Sequence, residues 1–88
     1  MPTYIVERYV PRSTASDLRS EGERIAQAAQ ELAESGQSET VYLRSIYMPD
    51  DEISFCLLNS GSIDTVAECF GQAKVAFDRI LEAEVLEP

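Results

Sequence analysis

The chain has 88 residues, 44% of them hydrophobic and 26% charged, with sixteen acids against seven bases and a net charge of −9. That is the length of one domain with a modest core, a size at which a second copy or a ligand commonly adds stability. The acid excess and scattered arginines argue against nucleic acid and anionic membranes, which need a basic stripe, and no stretch approaches the ~20 apolar residues of a membrane span.

The opening MPTYIVERYV has no basic segment leading an apolar run, so no signal peptide is read there and a cytoplasmic location is expected. In that compartment Cys56 and Cys69 are expected to stay reduced, as buried thiols rather than a disulfide.

Thr3 to Val10 reads as a first strand, rich in Tyr, Ile and Val and stopped by Pro11. A helix follows from about Ala15 to Ser35. Thr14 and Asp17 form its capping box, and Gly36 is its natural stop. Leu18, Gly22, Ile25, Ala29 and Leu32 draw one stripe along it, and Gly22 lets the helix backbone approach the sheet. Thr40 to Met48 is the second strand, Pro49 to Glu52 a turn, and Ile53 to Asn59 the third strand, so strands two and three form a hairpin. Ser62 caps a second helix carrying Val66, Ala67, Phe70 and Ala73 on its apolar side, and Gly71 is expected to weaken it or end it early. Arg79 to Leu86 closes the chain as a fourth strand.

This βαββαβ order predicts an α+β, ferredoxin-like sandwich: a four-stranded antiparallel sheet in the order 4-1-3-2, with both helices on one face. The covered face should be the more apolar one. It is assigned Tyr4, Val6, Val10, Val41, Leu43, Ile53, Phe55, Leu57, Leu81, Ala83 and Val85. The other face receives Ile5, Glu7, Tyr9, Tyr42, Arg44, Ile46, Cys56, Leu58, Ile80, Glu82 and Glu84. That second set is too apolar for water and too charged for an ordinary core, which predicts a two-fold homodimer with its sheets face to face.

YIVERYVP, then YMPDDEISFCLLNS, then FDRILEAEVL resemble the small proteins of the domain-of-unknown-function family numbered 4242, over essentially the whole chain. The resemblance implies a ferredoxin-like dimer. Some members of that family are described as nickel-binding, but nickel sites lean on imidazole and this chain has no histidine. No metal site and no cofactor are therefore predicted.

The candidate ligand-binding residues are Glu7, Tyr42, Arg44, Cys56 and Glu82. Arg44 offers a planar donor fork for a carboxylate or phosphate. A desolvated Glu7 or Glu82 could act as a general base, although an intersubunit ion-pair network explains the same charges. Cys56 has only Arg44 to activate it and reads better as a structural thiol. Tyr42 could hold a ligand through its hydroxyl or simply cover the edge of the core. The run Asp50-Asp51-Glu52 lacks the spacing of a calcium loop and reads as a solvated turn. The expected function is a small homodimeric protein that binds a small molecule or a cation. The alternative is a cofactor-free enzyme of the dimeric α+β barrel type, using a carboxylate in an interface pocket.

Overall fold

The computed structural model describes residues 1–37 and 39–88. Its elements in chain order are β1 (Thr3–Tyr9), α1 (Ala15–Glu34), β2 (Val41–Met48), β3 (Ile53–Asn59), α2 (Ile63–Ala73) and β4 (Arg79–Ala83). The sheet order is β2-β3-β1-β4 and every neighbouring pair is antiparallel. With both helices packed on one face, this is the ferredoxin-like α+β fold.

Local chemistry sets the helix ends. The Thr14 hydroxyl accepts from the Asp17 N–H at 3.0 Å, and the Asp17 carboxylate accepts from the Thr14 N–H at 3.0 Å. The Thr14 N–H, and after it the Thr14 side chain, hold the Asp17 carboxyl below its ordinary value. At the other end of α1, Gly36 takes φ +76°, and the N–H groups of Gly36 and Gln37 reach back to the carbonyls of Ala33 and Leu32. Helix α2 runs through Gly71 rather than ending there. It is closed by Lys74 in the left-handed region, φ 58°, where the Lys74 and Val75 N–H groups bond the Gly71 and Phe70 carbonyls. The Arg24 guanidinium of α1 also donates to the Ala73 and Lys74 carbonyls. Gly71 is exposed and meets nothing within 4 Å, so its missing side chain costs propensity but no packing.

The fourth strand stops at Ala83, not at Leu86. Its last pairing is Thr3 with Ala83. The strand beside it begins after Pro2, which has no N–H to offer a longer ladder. Val85 and Leu86 are exposed beyond that point.

Between the helices and the sheet lies the core: Tyr4 and Val6 of β1, Cys56 and Leu58 of β3, Ile25, Ala28, Ala29 and Leu32 of α1, Val66, Cys69, Phe70 and Ala73 of α2, and Val75. Phe77 closes one end, edge-on to Phe70 with centroids 5.7 Å apart. Both cysteines are free and buried. Burial pushes the Cys69 thiol up to about 11.

The faces of β2, β3 and β4 differ from the expectation. Val6 is paired with Cys56 and Tyr4 with Leu58, so Ser54, Cys56 and Leu58 turn toward the helices, while Ile53, Phe55 and Leu57 turn away. This is the reverse of the expectation for β3. Ile80 opposes Val6 and packs on the core, whereas Leu81 and Ala83 share the open side with Ile5 and Thr3. In β2 a bulge places Leu43 and Arg44 together opposite Leu57, so Tyr42 and Ser45 both face the helices. Val41 and Leu43 therefore lie outside, with Arg44 and Ile46.

Candidate functional site

The layer between helices and sheet changes character along α1. Around Ile25 and Phe70 it is dry. Beneath the first two turns of α1 it is polar, because β1, β2 and β3 send Arg8, Tyr42, Ser45, Tyr47 and Ser54 to this side.

Arg8 is buried, with 7% of its surface exposed. Its Nε donates to the Ala76 carbonyl at 2.9 Å, and a terminal nitrogen donates to Glu21 of α1 at 3.0 Å. The guanidinium is thus held by one carboxylate and one carbonyl, the pairing a buried cation requires.

Next to it runs a chain of hydroxyls. Ser45 donates to the Cys56 sulfur at 3.2 Å. The Ser45 oxygen must then accept from the phenol of Tyr42, its other partner. Burial raises the Tyr42 phenol above its ordinary value, and the nearby Cys56 pushes the same way, against the opposing pull of the Arg8 charge. Tyr42 lies against α1 at Gly22, where an added Cβ would come within 2.8 Å of its hydroxyl. The glycine on the helical stripe thus does what the sequence suggested, and the group it admits is a tyrosine. On the far side, the Tyr47 hydroxyl donates to the Ser13 carbonyl at 3.0 Å. Ser54, 1% exposed, has a hydroxyl with no hydrogen-bond partner among the described residues.

A cleft of about 210 Å³ opens here, lined by Ala15, Leu18, Arg19, Tyr42, Ser45 and Tyr47. Its helix wall supplies two apolar side chains and one cation, and its sheet wall supplies three hydroxyls.

The five residues singled out from the sequence do not meet in one place. Glu7 and Arg44 lie on the open face, and Glu7 accepts from Arg79 at 2.8 Å. Cys56 is in the core and Tyr42 reaches the helix side. Glu82 is exposed on the edge strand opposite Tyr4. The sheet itself separates the first pair from Cys56 and Tyr42, so only those two share a network, through Ser45. Arg8 and Ser45 were not singled out. For Arg8 a signal existed: an arginine between Val6 and Val10 on the inward side of an alternating strand demands a buried partner. For Ser45 the alternation from Val41 and Leu43 already points to the covered side, but a lone serine there names no partner, and it is the bulge that brings Tyr42 to the same side.

Among the described residues, no three His, Cys, Asp or Glu side chains gather to hold a metal ion. A chain without histidine also lacks the donors that nickel prefers. The residues present do not fit the nickel centre that the resemblance suggests. Among the described residues no helix is long and apolar enough to cross a membrane.

No family model matches the chain, and no curated protein matches it. Among solved structures it is similar to SCO4226 from Streptomyces coelicolor A3(2), with a TM-score of 0.76 and 15% sequence identity over 97% of this chain and 99% of that one. At that identity the likeness establishes the shared fold over essentially the full length.

Proposed function

We propose that this protein is a homodimeric binding module of the kind represented by family 4242, with two copies joined through their open sheet faces. One observation carries the dimer. The central strand β3 places Ile53, Phe55 and Leu57 on the side that the chain leaves uncovered, and Ser54, Cys56 and Leu58 on the side that the helices cover. A strand buried on one face only puts its larger apolar side chains inward. The reverse arrangement supports an open face that is covered by something else.

Charge favours a second copy. The open face carries one acid, Glu7, and two bases, Arg44 and Arg79, on a chain of net charge −9. Two such chains can meet there without bringing their acid excess face to face. Four strands about 4.8 Å apart and seven residues at about 3.3 Å each give a footprint on the order of 450 Å² per copy before side-chain relief. Two such footprints give about 900 Å², just under the roughly 1,000 Å² that a specific interface clears, so the relief of the side chains supplies the remainder. In that arrangement Glu7, Arg44 and Arg79 form the intersubunit charge network, and the polar cleft under α1 remains open on the outer side of each copy.

Native mass spectrometry of untagged protein at micromolar concentration tests this reading. The expected species is a dimer, and Phe55→Asp should give a folded monomer because it places a charge in the centre of the joined sheets. A wild-type chain that is monomeric and folded under those conditions sinks the proposal.

A further inference from the structure

The cleft under α1 has a donor and acceptor pattern that specifies more than its size. Tyr42 gives its hydrogen to Ser45, Ser45 gives its own to Cys56, and Tyr47 gives its own to the Ser13 carbonyl. Each hydroxyl has one hydrogen and two lone pairs. The sheet wall therefore presents acceptor oxygens to the cleft and no free donor. Arg19, exposed on the helix wall, is the cation among the lining residues. Leu18 and Ala15 supply the apolar surface between them.

We infer that this cleft binds a small amino-acid-like zwitterion. Its ammonium group donates to the oxygens of Tyr42, Ser45 and Tyr47, its carboxylate pairs with Arg19, and a short apolar side chain lies on Leu18 and Ala15. Three features exclude neighbouring chemistries. A phosphate or dicarboxylate would meet acceptor oxygens on the sheet wall and the field of a chain of charge −9. A bare metal cation would find hydroxyls but no carboxylate in the lining, and an arginine at the rim. A large aromatic ligand exceeds about 210 Å³, which lies below the usual range of drug-sized pockets, about 300–1,000 Å³.

The inference deepens the binding-module reading, and its failure is separable from that of the dimer because the cleft lies on the opposite side of the sheet from the open face. L-Alanine, L-serine and L-valine are titrated into ¹⁵N-labelled full-length protein, with N-acetyl-L-valine and isobutylamine as single-ended controls. Saturable shifts are expected at Ala15, Arg19, Tyr42, Ser45 and Tyr47 with at least one amino acid. Each control should bind about tenfold or more weakly, the order of one charge-assisted contact. Arg19→Gln, at an exposed position, should erase the advantage of valine over isobutylamine, and Ala15→Phe should fill the cleft and remove the shifts. The inference is overturned if no amino acid gives saturable shifts at these residues, or if the shifts are indifferent to N-acetylation and to Arg19→Gln. A monomer that still shows the expected shifts would overturn the dimer alone, and a dimer without them would overturn the cleft alone.

Discussion

The two faces of this sheet are built from different materials. Toward the helices, β3 and its neighbours mix small and polar groups, Ser54, Cys56, Ser45 and the paired guanidinium of Arg8, with the apolar Tyr4, Val6 and Leu58. Away from them stand Ile5, Phe55, Leu57, Ile46 and Leu81, the last two 51% and 39% exposed. The covered face takes its bulk from the helices, through Ile25, Leu32, Val66 and Phe70, and can use thin strand residues beneath them. Among the described residues the open face has no such supply, and it carries its bulk on the strands. Apolarity along a strand therefore reports total burial, and on the open face that burial is what the proposed dimer would supply.

Leu57 and Leu58 put this contrast into adjacent residues. Leu58 is fully buried under the helices. Leu58→Ala should cost about 3 kcal/mol in urea-induced unfolding at any protein concentration, as for other core leucines. Leu57→Ala should behave differently, lowering the unfolding midpoint mainly by weakening association, so that its effect is small at concentrations too low for dimer and grows toward a plateau as protein concentration rises. Equal, concentration-independent losses at both positions would abolish the distinction between the faces.

The next largest effect belongs to the polar end of the covered face. Glu21→Ala leaves the Arg8 charge buried with only a carbonyl for company. Because Glu21 itself is 27% exposed, the expected loss is moderated to about 2 kcal/mol. The double replacement Arg8→Met with Glu21→Met should recover most of it, since it removes the charge together with its partner. Chemical denaturation of both variants checks the pair.

Much of this architecture was legible in the sequence. Capping by Thr14, Asp17 and Ser62, the stripe through Gly22, and the order of six elements all follow from local chemistry that tertiary structure did not override. The faces were not legible for β3 and β4, and in β2 the expectation held for Arg44 and Ile46 but not for Val41, Tyr42 and Leu43. A rule that sends the more apolar side of each strand to the helices works for Val6 and Val10 but fails at Phe55, where the larger residues point to the open side. The bulge at Leu43 and Arg44 then breaks the alternation that would have linked Tyr42 to Arg44. Since the candidate cluster of Glu7, Tyr42, Arg44, Cys56 and Glu82 was read from those faces, it dispersed when the register moved by one residue.

A smaller effect is expected where α1 meets Tyr42. Alanine is a better helix former than glycine by roughly 1 kcal/mol. Gly22→Ala would nevertheless set a methyl 2.8 Å from the Tyr42 hydroxyl, which the Ser45 bond holds in place. The clash should outweigh the gain, for a net loss of about 1 kcal/mol in thermal unfolding. Adding Tyr42→Phe removes the nearest atom, and the double variant should regain stability relative to Gly22→Ala alone. If Gly22→Ala is stabilising by itself, the close approach of helix and tyrosine is not a constraint on the fold.

The smallest effect sharpens the contrast most finely. Ser54 stands on the covered face between Arg8 and Tyr47 in register, buried, with no partner for its hydroxyl among the described residues. A buried hydroxyl that makes no hydrogen bond contributes desolvation cost and little else. Ser54→Ala should therefore leave the urea midpoint within about 0.5 kcal/mol of the wild type, or raise it slightly. The thin residues of the covered face would then serve chiefly as room for the helices, with the polar contribution confined to Arg8, Tyr42 and Ser45. A loss above about 1 kcal/mol would mean that the hydroxyl holds an ordered water, joining Ser54 to the Arg8 and Tyr47 groups that flank it.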